Sequence, residues 1–299
     1  MGMTNQFKKG TIMLNYENTL ENMLKALPEL KNFHHRHGLI YQMLDEIALD
    51  AAESIFGENG PQAVTLGDLG NLKLPFVSMG EIKSTHLFGL DELIIFSFYL
   101  KNKNHYKKVF DIGANIGLHS IVLSKAGYDV VSYEPDPWHF KMLKENLKVN
   151  SASSKVEARN KAVSTEVGEL EFIRVLGNTT GSHLAGAKKD PYGELKKFKV
   201  EVDAFREIMK DADLLKIDVE GHESAILTIT NREDWVDTDA IVEIGTPENA
   251  LMVFEHMQKK GVNLFSQKKS WEKVDRLEDM PTSYKDGSLF ISLRNLMPW

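Results

Sequence analysis

The rhythm of apolar and polar positions changes near residue 105. Before it the spacing is helical. Leu39, Ile40, Met43, Leu44 and Ile47 recur three and four residues apart, and Gly57 with Gly60-Pro61 closes the run. Tyr16, Leu20, Met23, Leu24 and Leu27 form a second stripe, so residues 1–60 read mostly as helix. Residues 62–78 read as short strands around Gly67 and Gly70, and 91–100 as an apolar helix closed by the polar residues 102–105. After it, β-type runs alternate with helices. The runs are 109–112, 130–133, 156–164, 214–219 and 240–244. The helices reach 126, span 137–149, begin near His222, and span 248–260. Residues 170–173 and 198–202 read as an added hairpin. Runs at 262–266 and 288–293 end the chain with no long helix between them, so one of the two is expected antiparallel. Such alternation predicts an α/β fold, a mostly parallel sheet with helices on both faces.

The chain has 299 residues, enough for one large domain or two modest ones. It has no cysteine, which excludes disulfides, thiolate zinc sites and cysteine nucleophiles. Its net charge of −7 disfavours broad nucleic-acid binding. The longest mostly apolar run, 93–100, is far short of the ~20 residues of a membrane span. Met1-Gly2 opens like a myristoylation site, but Gln6 stands where Ser or Thr is needed. A cytoplasmic protein is the expectation.

Four β-type runs carry an acid at or near their ends: Asp111, Glu134, Asp218 and Glu243. An unpaired carboxylate is unfavourable inside an apolar sheet. The crevice beyond the strand ends, where open α/β sheets bind ligands, accommodates it. The loop Asp111-Ile112-Gly113-Ala114-Asn115-Ile116-Gly117 is neither a dinucleotide fingerprint nor a P-loop. An acid before its first glycine suits a ligand bearing an ammonium group. Glu134, about 20 residues on, is placed to accept from two ribose hydroxyls. Together they point to an adenosine with a cationic amino-acid tail, S-adenosyl-L-methionine.

These segments are VFDIGANIGLHS (109–120), YEPDP (133–137), NKAVS (160–164), GNTTGSH (177–183), LLKIDVEGHE (214–223) and AIVEIG (240–245). With them the chain resembles the FkbM family of S-adenosylmethionine-dependent methyltransferases over roughly residues 85–293. The resemblance implies a class I, Rossmann-like methyltransferase fold with a seven-stranded sheet whose last strand is antiparallel. It implies O-methylation, commonly of sugar hydroxyls. Asp111, Gly113, Ala114, Asn115 and Gly117 would line the methionine side of the cofactor, with Glu92 meeting its end. Glu134, beside Pro135, would hold the ribose, and Asn160 and Ala162 would lie against the adenine. Thr165 stands where the family often has an acid. Residues 105–299 would form the cofactor-binding methyltransferase domain, and 1–104 a mainly helical cap or oligomer contact.

An alcohol needs a base or a metal to attack a methyl group at neutral pH. Lys216, Asp218 and Glu220 alternate along one strand face, and Gly221 lets His222 and Glu223 open the next helix. Two mechanisms stand open. Either His222 or Asp218 takes the proton, or Asp218, Glu220 and Glu243 hold Mg²⁺, Ca²⁺ or Mn²⁺. An ion pair is the plainer role for Lys216, and a helix-start charge the plainer role for Glu223. His183 lies in a polar segment, 177–186, placed to cover the acceptor, and His86 precedes the apolar helix. His34-His35-Arg36-His37 reads as a solvated helix face, since adjacent residues point different ways. The expected acceptor is a saccharide or glycan-linked hydroxyl. Other readings are a polyketide, lipid or RNA-ribose hydroxyl, or a cofactor-binding protein without catalysis. A homo-oligomer built on the N-terminal helices is the sharper account of their apolar stripes; packing within the chain is the plainer one.

Overall fold

The computed structural model describes residues 16–188 and 193–299; the Met1-Gly2 opening lies outside them. The N-terminal elements are α1 (Tyr16–Ala26), α2 (Leu39–Phe56), the hairpin β1 (Ala63–Thr65) and β2 (Asn71–Lys73), and α3 (Leu90–Lys101). Then come β3 (Lys108–Ile112), α4 (Leu118–Ala126), β4 (Asp129–Tyr133), α5 (Pro137–Val149) and β5 (Val156–Arg159). They are followed by β6 (Ala162–Ser164), β7 (Gly168–Val175), β8 (His183–Leu184), β9 (Leu195–Ala204) and α6 (Phe205–Met209). The rest is β10 (Leu214–Ile217), α7 (Glu223–Leu227), β11 (Asp239–Glu243), α8 (Pro247–Lys260), β12 (Asn263–Ser266), β13 (Glu272–Lys273) and β14 (Ser288–Ser292).

Local chemistry sets these boundaries. Asp136 caps α5 by accepting from the Trp138 and His139 amides, and Pro137 supplies the first helical φ. Thr246 and Pro247 do the same for α8, which ends on Gly261 at φ +65. The large sheet runs β13-β12-β14-β11-β10-β3-β4-β5. Strands β5, β4, β3, β10 and β11 are parallel, and β14 is antiparallel to both β11 and β12. Without the two-residue β13 this is a seven-stranded sheet with its last strand reversed, as expected. Alternate residues serve opposite faces: Val109 joins a core with α1, α3 and α4, while Phe110 joins one with α6, α7 and α8.

Two expectations are corrected. The run 156–164 is two strands. Asn160 turns away between them, its amide donating to the Glu134 and Pro135 carbonyls, and β6 leaves to pair with β9 in a second sheet, β6-β9-β7-β8. The stripe on α2 has the expected spacing but the opposite orientation: Leu39 is 71% and Ile47 45% exposed, while Ala48, Ala51, Ala52 and Ile55 are buried. Small residues let α2 pack closely, and alanine carries too little apolar area to dominate a sequence pattern. The stripe on α1 does face inward, with Leu20 and Leu24 buried in the shared core.

The second sheet and the segment before α3 roof the C-terminal ends of the parallel strands. Thr179 donates its amide to the Met79 carbonyl at 3.0 Å, and Glu81 donates to the Gly177 carbonyl at 3.2 Å. No helix among the described residues is long and apolar enough to cross a membrane.

Candidate active site

Two cavities, of about 260 and 420 Å³, meet under this roof. Ile82, His86, Glu92, Asp218 and Glu243 line both and form the partition. Three of those five come from the strand-end acids and the start of α3, because parallel strands deliver their C-terminal residues to one edge.

The first cavity is floored by the glycine loop. Gly113 and Ala114 donate their amides to the Tyr133 carbonyl, which folds the loop back onto β4. Gly113 has φ +84, and a Cβ there would sit 1.8 Å from the Asp218 carbonyl oxygen. Only glycine permits that approach. Gly113→Ala is therefore expected to destabilise the protein by about 3 kcal/mol. Its urea midpoint would fall accordingly, and an unchanged midpoint would show that the loop yields without strain. Gly117 at φ +90 starts α4 against Leu143. Neither it nor the buried Ala114 lines the cavity.

Glu134 lines it at the end of β4, accepting from the Asn115 and Asp136 amides, each at 2.8 Å. Burial, with Asp136 and Asp111 nearby, pushes its carboxyl up to about 8 against those two donors. Asn115 lines the same wall, and its Oδ1 is buried without a partner. Pro135 and Ala162 line the cavity with Tyr133, Phe172 and Leu184. Asp111 does not: it is fully buried beneath the loop, accepting from Ser120 Oγ at 2.5 Å with Lys216 Nζ at 3.8 Å. Asn160 also lies outside, bracing the Glu134-Pro135 turn.

The expected catalytic segment divides. Lys216 lines the second cavity and pairs with Asp218 at 3.5 Å and Asp111 at 3.8 Å, the ion-pair role anticipated for it. Burial opposes its charge, but Asp218, Asp111, Glu92 and Glu243 hold it above the usual lysine range. Glu220, at φ +52, accepts from Lys188 Nζ at 2.7 Å, and burial and Asp218 push it up to about 7. His222 lines neither cavity; its Nε2 meets Ser164 Oγ at 2.8 Å. Glu223 is also withdrawn, accepting from the Val219 and Gly221 amides and from Asn249. It clamps the turn and lines neither cavity. Both departures follow from the strand ending at Ile217: the chain turns at 218–221, and α7 begins behind the cavity wall.

The Glu243 carboxylate has no hydrogen bond or ion pair among the described residues, and burial with Asp218, Glu220 and Glu92 raises it well above the ordinary value against the pull of Lys216. No three acidic or histidine side chains among the described residues converge to hold a metal. Glu220 is turned to Lys188 and Asp218 to Lys216, so the expected ligand set does not assemble. His183 is buried, its Nδ1 on the Gly181 carbonyl, and lines neither cavity. His86 lines both, with Nδ1 accepting from the Lys83 amide.

Sequence reading missed other wall residues. The second cavity is lined by Arg36, Tyr41 and Asp45 of the N-terminal segment, and by Asp91 and Tyr284. Arg36 pairs with Asp91, which also accepts from Tyr41 Oη at 2.7 Å. The histidine run is thus no solvated face: His34 is buried, accepting from Trp271 Nε1 at 2.9 Å. Nothing in the local pattern foretells contacts made to residues more than two hundred positions away.

A parallel sheet with a reversed last strand, an acid-tipped crevice and a glycine loop on its first strand is the architecture of a class I, Rossmann-like methyltransferase. Residues 111–265 match the Methyltransferase FkbM domain, and the chain belongs to that family of S-adenosylmethionine-dependent methyltransferases. Methyltransferase sdnD of Sordaria araneosa is 26% identical over 200 residues, 54% of this chain and 76% of that one. Methyltransferase FkbM from Methylobacillus flagellatus KT is similar at 16% identity and a TM-score of 0.37, over 62% of this chain and 43%, less than half, of its own. The SAM-dependent methyltransferase from Agrobacterium tumefaciens is similar at 10% identity and a TM-score of 0.39, over 78% and 70% of the two chains.

Proposed function

We propose that the chain transfers the methyl group to a hydroxyl of a saccharide, with the cofactor in the first cavity and the acceptor in the second. One observation carries this: the two cavities share a partition that includes three carboxylates, Glu92, Asp218 and Glu243, and the second sets Arg36, Tyr41, Asp45 and Tyr284 among aliphatic side chains, a mix that meets both the hydroxyls and the apolar ring faces of a sugar. The first cavity fits the cofactor by its donor set. Glu134 accepts at one end, the unpartnered Asn115 Oδ1 accepts in the loop, and Tyr133, Phe172 and Leu184 supply apolar walls.

When bound, S-adenosylmethionine supplies a methyl carbon made electrophilic by its sulfonium. This chain's part is to bring the acceptor oxygen in line and to remove its proton. Glu243 takes that proton, being the unpaired carboxyl of the partition; Asp218 beside it is restrained by Lys216. The methyl group would pass from sulfur, which would keep the bonding electron pair, to the acceptor oxygen that Glu243 and His86 hold in place. His86 presents its Nε2–H as a donor to the acceptor, since its Nδ1 already accepts from the backbone. No step runs through a metal. Residues 1–104 act as an acceptor-side cap, because Arg36, Tyr41, Asp45 and His86 all come from them.

Incubation with S-adenosylmethionine and a panel of sugars, glycosides and non-sugar alcohols tests this reading. Mass spectrometry of the products is expected to show an O-methyl ether on a saccharide. A methyl group found only on nitrogen, on carbon or on non-sugar hydroxyls would refute it.

A further inference from the structure

Glu92, Phe96 and Tyr99 are four and seven residues apart on α3, so they share one face of it. All three close on a single side chain, His119, in the first turn of α4. The His119 Nε2 meets Glu92 Oε2 at 2.7 Å, and its Nδ1 meets the Tyr99 hydroxyl at 3.0 Å. The Phe96 ring stands edge-on to the imidazole, centroids 5.0 Å apart. Both ring nitrogens are thus engaged and the ring plane is fixed. Tyr99 and His119 are buried, whereas Glu92 lines both cavities.

We propose that Tyr99 and His119 form a hydrogen-bonded relay that holds Glu92 as an oriented anion on the partition, making His119 a positioning residue for the methyl-transfer site. This rests on the assignment of the two cavities to cofactor and acceptor. An ionised carboxylate only accepts, so His119 Nε2 donates to it. The second bond, between Nδ1 and the Tyr99 hydroxyl, holds the ring from behind and fixes its plane. Burial pulls the Glu92 carboxyl upward, but His119, Lys216 and Arg36 outweigh it and hold it below the ordinary range. Glu134, Glu220 and Glu243, which line the same space, are all shifted the other way. Glu92 is therefore a carboxylate of the partition whose direction is set from behind by His119, where the cationic end of a methyl donor would enter.

The test compares His119→Gln, which keeps an N–H donor, with His119→Leu, which keeps volume alone, and with Tyr99→Phe. Calorimetric titration of the full chain with S-adenosylhomocysteine is the first readout; the proton signal of the His119 imidazole, recorded without ligand, is the second. His119→Leu is expected to weaken binding about ten- to a hundredfold, and His119→Gln to recover most of it. Tyr99→Phe should move the imidazole signal, as should Glu92→Gln. Leucine and glutamine variants that bind as tightly as the wild type, with only their melting temperatures lowered, would reduce His119 to a packing residue and overturn the proposal. An imidazole signal indifferent to both Tyr99→Phe and Glu92→Gln would overturn it as well. A folded wild type that binds no S-adenosylhomocysteine would instead overturn the cavity assignment on which it rests.

Discussion

Glu134→Ala is expected to abolish measurable cofactor binding, with an affinity loss of about a hundredfold or more. Two effects add. The variant removes the acceptor that ribose hydroxyls would use, and hydrogen bonds to a charged group contribute about 1.5–3 kcal/mol each. It also leaves the Asn115 and Asp136 amides without their partner, loosening the loop that floors the cavity. The wild-type pH dependence separates the two. Burial pushes Glu134 up to about 8 in the free protein, so at neutral pH the carboxyl is largely protonated. If the ionised form is what accepts from ribose, binding must expel that proton. Affinity for S-adenosylhomocysteine should then rise with pH, up to about tenfold per unit below 8, and level off above it. Calorimetry in buffers of different ionisation enthalpy reads the released proton directly. Glu134→Gln should bind weakly with no such slope. A wild-type affinity flat from pH 6 to 9, with no proton released, would show that Glu134 serves the loop and not the ribose.

What could be read in the sequence followed from chemistry that is local in the chain. Buried parallel strands tolerate acids only at their open ends, so Asp111, Glu134, Asp218 and Glu243 placed the crevice before any coordinates did. They did not say which acids face it. Asp111 lies one pleat too deep and is spent on Ser120 and Lys216. His222 sits four residues after Asp218, but the strand ends at Ile217, and the turn carries the imidazole to Ser164. Register at a strand end decides such matters, and a shift of one residue reverses the face. The second cavity was hardest to foresee, because Arg36 and Tyr41 reach it from a segment whose own apolar pattern misled. Leu39, Ile40, Met43 and Ile47 mark the solvent face of α2, while its alanines mark the core. His119 lies within the segment VFDIGANIGLHS, but nothing local in the chain ties it to Glu92, Phe96 and Tyr99 on α3.

Glu243→Gln is expected to lower kcat by between about a hundredfold and ten-thousandfold while leaving cofactor affinity within a factor of about two. The amide matches the carboxylate in size but cannot take the acceptor's proton. Lys216 acts on Glu243 through space but forms no ion pair with it among the described residues, so the substitution breaks none. Its carboxyl is raised by burial and by Asp218, Glu220 and Glu92, and a raised base is the stronger base. The sign follows: the base acts when ionised, so kcat should climb with pH along a limb lying above the ordinary carboxylate range. That limb should vanish in the variant. Asp218→Asn is the control. Lys216 beside it would lose one of its two paired anions, so both cofactor binding and stability should decline there together with rate. Should Glu243→Gln retain the wild-type kcat and its pH limb while Asp218→Asn loses both, the proton passes to Asp218, and Glu243 only tunes the field around it.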